Sequence, residues 1–331
     1  MNNLIKDMPK IELHLHLDGS LDIPLAHSLS NIDYDTLKNN MTISNNCESL
    51  KEYLNCFKLP LELMQDKNSL QDSLRRLSQL LHDENVIYAE VRFAPMLHIK
   101  GNMDLEDVVL SLVSILDELP IKINLILCCM RDKTINENMS VIDIANKYLN
   151  KGVCGIDLAG DEASYETSNY KELFDYAQKC SIPFTIHAGE ASDYKSVNYA
   201  ISFGAKRIGH GINAINSIDT INLLKEKSIC LEVCMKSNLD TKAVSEIKNH
   251  PIKKLIDSGV IVTINTDNRT VSDTSLYKEY KLFYDNFDTN IYTLIELNRN
   301  AIKYAFISEE EKRHLLNKLD IFANKLPLST K

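Results

Sequence analysis

The sequence predicts an α/β fold, a (β/α)8 TIM barrel with extra helices inserted after the first strand. Short apolar, β-branched runs recur eight times along the 331 residues. Between them lie stretches with apolar residues at three- and four-residue spacing, the period of an amphipathic helix. Strand then helix, eight times over, is the count of a closed parallel barrel, although an open doubly wound sheet can hold as many strands. No Gly/Ser/Pro-rich linker or low-complexity tract interrupts the alternation, so residues 1–331 read as one domain.

The first strand is IELHLHLD, residues 11–18. The interval to the second, about 20–85, is far longer than a barrel unit needs and reads as two or three extra helices, including SLKEYLNCFK and LELM after Pro60. On a barrel such an insertion sits over the mouth, as a helical lid. The remaining strands are VIYAEVRFAP (86–95), INLILCCM (123–130), GVCGIDLAG (152–160), IPFTIHAG (182–189), RIGHG (207–211), ICLEVCMKSN (229–238) and VIVTINTDN (260–268). SLRRLSQLLHDE, LEDVVLSLVSILDEL, YKELFDYAQKC, SIDTINLLKEK and PIKKLIDSG supply helices between them. Ser308 with Glu311 fits a capping box opening the final helix.

Composition narrows the function. A formal charge of −9, from 46 acids against 37 Lys plus Arg, disfavours phosphate backbones, and no nucleic-acid partner is expected. No basic-then-apolar leader is present and no run of about 18 apolar residues occurs, so a soluble, unprocessed protein with no membrane partner is expected. Five of the eight cysteines, Cys128, Cys129, Cys154, Cys230 and Cys234, fall inside apolar runs, and there is no CxxC pair. They read as core residues in a reducing, cytoplasmic compartment rather than as disulfides or zinc ligands.

The polar residues inside the strands carry the chemistry. His14 and His16 are two apart, so they share one face while Leu13, Leu15 and Leu17 take the other. Two hydrogen-bonded structural histidines would look the same as a metal-binding pair. His187, His210 and Asp267, however, stand at the ends of strands five, six and eight, the face where barrel enzymes place their sites. His27, His82, His98, His250 and His314 read as surface, capping or packing residues, with His250 before Pro251 in a turn. Three imidazoles and a carboxylate suit a divalent ion such as Zn2+ that also holds a water, whose pKa it lowers from ~15.7 toward ~7. Glu190, three residues after His187, is either an acid at a helix N-terminus or a general acid. His210 either ligates or acts as a base. Metal chemistry with a donor and an acceptor of protons points to hydrolytic attack on an electrophilic carbon.

Taken together, ELHLHLDGS, EVRFAPMLH, GIDLAGDE, HAGE, IGHG, LEVCMKSN and VTINTDN resemble the adenosine deaminase family of the metal-dependent amidohydrolases, over about residues 8–315. The resemblance implies hydrolysis of the 6-amino group of adenosine and 2′-deoxyadenosine, in purine salvage, with one Zn2+ on His14, His16, His187 and Asp267. It further implies that Asp267 contacts the water, that His210 orients and deprotonates it, and that Glu190 protonates purine N1. Toward the small-molecule nucleoside it implies His16, the Gly160 backbone at purine N3, and Asp18 at the ribose 5′-hydroxyl.

Two residues depart from the family pattern. Asn268 stands where a second acid is frequent; its amide can donate to purine N7 without a raised pKa. Lys236 is either a solvated rim residue or a contact for an anionic 5′ extension. Rival readings are a deaminase of a 5′-modified adenine nucleoside or of adenine, and a nucleoside-binding barrel without turnover. A binuclear amidohydrolase is disfavoured because strand four offers DLAG and no bridging lysine. The H-x-E and P-C-x-x-C signature of cytidine-type zinc deaminases is absent.

Overall fold

The computed structural model describes residues 2–44, 47 and 50–326. Its eight parallel strands are β1 (Lys10–His16), β2 (Val86–Phe93), β3 (Lys122–Met130), β4 (Val153–Ala159), β5 (Thr185–Ala188), β6 (Arg207–His210), β7 (Cys230–Val233) and β8 (Ile261–Ile264). They pair in sequence order within two four-stranded runs, β1 to β4 and β5 to β8. Isolated bridges Ile156–Phe184 and Leu15–Asp267 join the runs. At the second seam His16 N donates to Asp267 O at 2.7 Å and Asp267 N to His14 O at 2.8 Å. The barrel therefore closes through the segment that carries three of the predicted site residues.

Every strand is covered on its outer face by helices, which is why the runs read as almost continuously apolar. Leu13, Leu15 and Leu17 lie fully buried in the main core, while Glu12 and His14 alternate with them toward the barrel axis. Several strands are shorter than their apolar runs. After Val233 the chain turns into the helix Met235–Asp240, so MKSN is helical rather than strand. β8 ends at Ile264, beyond which the backbone crosses to pair with β1.

Among the described residues the insertion holds four short helices, Ile23–Ser30, Tyr34–Met41, Leu50–Asn55 and Lys58–Leu63, before the barrel helix Lys67–Asp83. This exceeds the two or three expected, because N-cap aspartates at Asp22, Asp33 and Asp66 divide the segment into short pieces. Ser49, the first residue of the expected SLKEYLNCFK helix, lies outside the described residues. The final helix, Glu309–Ala323, opens with the Ser308/Glu311 capping box. Among the described residues no disulfide forms, and the five cysteines in apolar runs are buried. Among the described residues no helix is long and apolar enough to cross a membrane.

Candidate active site

At the C-terminal ends of the strands is a cavity of about 430 Å3, within the range of roughly 300–1,000 Å3 usual for small-molecule sites. His16, Asp18, Gly160, His187, Glu190, His210, Asp267 and Asn268 all line it. A larger cleft, about 600 Å3, opens at the opposite end beside Val86 and Lys122, away from the imidazoles.

His14, His16, His187 and Asp267 each present one ligand atom, and these atoms all lie within 4.8 Å of one another. His16 Nε2 and His187 Nε2 face each other at 3.3 Å. Asp267 Oδ1 lies 3.5 Å from His14 Nε2 and 3.4 Å from His16 Nε2. His14 Nε2 is buried without a hydrogen-bond partner, an arrangement that is costly unless a ligand takes its lone pair. Its Nδ1 meets Glu232 Oε2 at 2.9 Å, and His187 Nδ1 meets Asp157 Oδ2 at 2.8 Å. A carboxylate on Nδ1 holds the proton there and turns the Nε2 lone pair inward, as metal-binding histidines require.

The charge in the barrel interior points the same way. Arg92 pairs with Asp157 at 2.9 Å and with Glu232 at 2.8 Å; Arg207 pairs with Glu90 at 2.5 Å and with Glu232 at 2.6 Å. Burial opposes ionisation of Asp157 and Glu232, yet His187 and Arg92 hold Asp157, and Arg92 and Arg207 hold Glu232, far below the usual carboxylate range. Asp267 is likewise held low against burial, by His14 and His16. Burial instead pushes Glu12 up to about 8, keeping it protonated. Arg92 and Arg207 thus pair with three buried carboxylates, Glu90, Asp157 and Glu232, while Asp267 faces His14 and His16. Burial keeps His14 and His16 below the ordinary imidazole value, so their lone pairs are available. For His187, Asp157 outweighs burial and raises the pKa, so an ion must compete with a proton at that ligand. The residues fit a metal.

His210 and Asp267 sit in the left-handed region, at φ +60° and +61°. Non-glycine residues there cost about 1–3 kcal/mol each, strain typical of functional positions. Gly209 makes room for the cluster: a Cβ there would lie 2.9 Å from His14 Cε1 and 3.2 Å from His187 Cα. The glycine before His210 therefore makes room for the imidazoles. Gly209→Ala is expected to cost roughly 1–3 kcal/mol of overpacking, read as a lower denaturant midpoint together with weaker metal binding.

Glu190 does not begin a helix; the next one starts at Tyr194. Its loop is folded around the carboxylate of Glu162, which accepts from the backbone N of Gly189 (2.5 Å), Glu190 (3.0 Å), Ala191 (2.9 Å) and Ser192 (3.2 Å) and from Ser196 Oγ (2.5 Å). Burial works against charge on Glu162, but Ser196 and Arg131 keep its pKa below the ordinary value. The Glu190 side chain faces the cavity. Its Oε1 accepts from Asn238 Nδ2 at 2.8 Å and Thr241 Oγ1 at 3.0 Å, while Oε2 lies 3.5 Å from His210 Nε2.

Asp18 Oδ1 lies 3.1 Å from His98 Nε2, and His98 Nδ1 donates to Met64 O at 2.7 Å. His98 and His250 are buried, which bears out the packing reading among those expected, and His250 also caps the short helix Ile247–Asn249 just before Pro251. Asn268 Nδ2 donates to Tyr53 Oη at 3.1 Å, and Gly19 leaves space for it, since a Cβ there would lie 2.0 Å from Asn268 Oδ1. Ser237 Oγ donates to Asp267 Oδ2 at 2.6 Å. Lys236 Nζ pairs with Asp240 on its own helix, and Lys236 is not among the residues lining the cavity. Sequence reasoning missed Asn238, Thr241, Glu162, Tyr53, Ser237 and His98. Asn238, Ser237, Glu162 and His98 lie inside quoted motifs, which was the available signal; Tyr53 and Thr241 lie outside them.

A closed barrel whose rim gathers three imidazoles and a carboxylate, backed by buried acids, defines a hydrolase of the metal-dependent amidohydrolase type. The comparisons narrow this. The family model for adenosine deaminase matches residues 9–322. An adenosine deaminase of Clostridium acetobutylicum is 42% identical, covering 96% of this chain and 98% of its own length, and one of Haemophilus ducreyi is 40% identical, covering 92% and 94%. The chain belongs to the adenosine deaminase family. Among solved structures, the apo N6-methyl-AMP deaminase from Arabidopsis thaliana superposes with a TM-score of 0.87 at 26% identity, covering 98% of this chain and 100% of that one. An adenine deaminase from Arthrobacter aurescens, at 22% identity and a TM-score of 0.88 over 96% and 99%, shares the fold.

Proposed function

We propose that this protein hydrolyses adenosine and 2′-deoxyadenosine to inosine or 2′-deoxyinosine and ammonia, with one Zn2+ held by His14, His16, His187 and Asp267. The observation that carries the reading is the placement of Glu190 in the same cavity as the cluster of three imidazoles and one carboxylate, so that acid and ion address one bound ring. When bound, the ion supplies the Lewis acidity that makes a water nucleophilic near neutral pH. The chain's own residues do the rest. Glu190 Oε1 is taken by two donors, which leaves Oε2 to carry the proton given to purine N1; protonation there draws electron density from C6 and prepares it for attack. Asp267 orients the attacking water, its own carboxylate held by Ser237. Gly160 offers its backbone N–H to N3, His16 borders the purine, and Asp18 takes the 5′-hydroxyl. Residues 1–331 act as one domain in the cytoplasm, and the helices over 20–85, which bring Tyr53 and Phe57 to the cavity wall, act as its lid.

The 5′ end carries no phosphate. The carboxylates lining the cavity are Asp18, Asp132, Asp161, Glu190 and Asp267, and no lysine or arginine is among the described lining residues. Zinc-loaded protein incubated with adenosine is expected to release ammonia with the ultraviolet change of adenosine becoming inosine. Turnover of only adenine or a 5′-modified nucleoside would overturn the substrate, and no turnover with any of them would overturn the enzyme.

Asn268 tests ring recognition. Removing its N–H with Asn268→Ala should lower kcat/KM about 10-fold, the worth of one hydrogen bond of ~1.4 kcal/mol. Asn268→Asp should keep activity and lose it as pH rises, because the carboxyl must stay protonated to donate. Unchanged kcat/KM in the alanine variant would remove Asn268 from the contact.

A further inference from the structure

We infer that His250 and Asn238, which the reaction itself does not require, are positioning residues that hold the His210 ring as its Nε2–H tautomer. The chain of hydrogen bonds starts at a group whose polarity cannot be reversed. The backbone N–H of Ile252 donates to His250 Nδ1 at 3.1 Å, so that nitrogen carries no proton. Burial pushes the His250 pKa down to about 3, with His210 adding to the effect, which leaves the ring neutral and its single proton on Nε2. His250 Nε2 lies 3.2 Å from Asn238 Oδ1 and donates to it. With its oxygen thus assigned, the Asn238 amide turns its Nδ2 to the other side. There it donates both to Glu190 Oε1 at 2.8 Å and to His210 Nδ1 at 3.0 Å. His250 and Asn238 are almost wholly buried, at 2% and 0% exposure, so water does not compete for these bonds.

The consequence lies at His210. Its Nδ1 accepts, so the ring proton is on Nε2, the nitrogen 3.5 Å from Glu190 Oε2 and directed into the cavity. His210 meets the reacting centre as a hydrogen-bond donor, in place of the water-deprotonating role that the family resemblance implies. The same amide orients Glu190, so one asparagine, itself set by one histidine, aligns both groups. A histidine placed before Pro251 for a turn alone would have no reason to be buried against an asparagine two elements away.

The inference rests on the deaminase reading for its kinetic consequence, while its direct readout needs no turnover. Zinc-loaded protein labelled with 15N-histidine is examined by long-range 1H–15N correlation, with His210 assigned by the signals lost in His210→Asn. An unprotonated Nδ1 and a protonated Nε2 on His210 are expected; a proton on Nδ1 overturns the inference, whatever the substrate proves to be. In His250→Leu the amide is no longer polarised, so His210 should gain Nδ1–H population and kcat should fall about 10-fold or more while KM stays within about threefold. His250→Gln, whose amide can still donate to Asn238, should restore most of kcat. An unchanged ring and kcat in His250→Leu overturns the inference. Should that variant not fold, the nearly isosteric Asn238→Asp decides: a carboxylate cannot donate, so His210 must place a proton on Nδ1, and a ring that keeps Nδ1 bare refutes the chain. If native His210 shows Nε2–H but no nucleoside is deaminated, the function falls and this inference stands.

Discussion

Glu190→Gln is expected to lower kcat for adenosine by about 10^2 to 10^4-fold with little change in KM, the range usual for loss of a general acid. The substitution is nearly isosteric. A glutamine oxygen can still accept from Asn238 Nδ2 and Thr241 Oγ1, so the side chain stays where the glutamate was. The loop beneath it is held by Glu162 and is untouched, so thermal stability should match the parent protein. What is lost is a transferable proton: the amide can hydrogen-bond to N1 but cannot protonate it. Steady-state kinetics check this, and a kcat within about threefold of the parent value would remove Glu190 from the chemistry.

Glu232→Gln should be the most damaging change among residues that never touch the substrate. Glu232 receives His14 Nδ1 at 2.9 Å, Arg92 at 2.8 Å and Arg207 at 2.6 Å, all fully buried. Removing its charge leaves two guanidinium groups with only Asp157 and Glu90 between them. Breaking a buried ionic network in this way typically costs about 3–5 kcal/mol, since the remaining charge cannot be hydrated. The same change frees the His14 ring to rotate and to take the other tautomer, and outer partners of metal-binding histidines are worth roughly 10–100-fold in metal affinity. Both effects are expected: a lower urea midpoint in chelator-treated protein, and weaker zinc binding in competition with a chromogenic chelator. Parent-like zinc affinity in a folded variant would show that Glu232 is only part of the ionic core.

Where residues act through local pattern, they were legible. The alternation of strand and helix, the HxH of β1, the capping box at Ser308 and the positions of His187, His210 and Asp267 at strand ends all follow from spacing along a few residues. Where they act through partners distant in the chain, they were not. Glu232 and His14 are 218 residues apart, and a glutamate inside an apolar run gives no sign of which imidazole it will meet. For His98 and His250 the sequence left surface, capping and packing open, because burial of a single polar side chain leaves no periodic trace. The insertion's length pointed to extra helices, but not that Tyr53 would reach Asn268.

By itself, the order of residues determined the eightfold repeat, the face each strand turns inward, and which side chains stand at the strand ends, because backbone geometry converts a period of two or 3.6 residues directly into direction. Tertiary structure alone decided the ionisation of the interior and the polarity of its hydrogen bonds. Which nitrogen bears a proton depends on the groups facing it, and those groups are brought together only when β8 closes against β1 and the Met235–Asp240 helix folds over the rim.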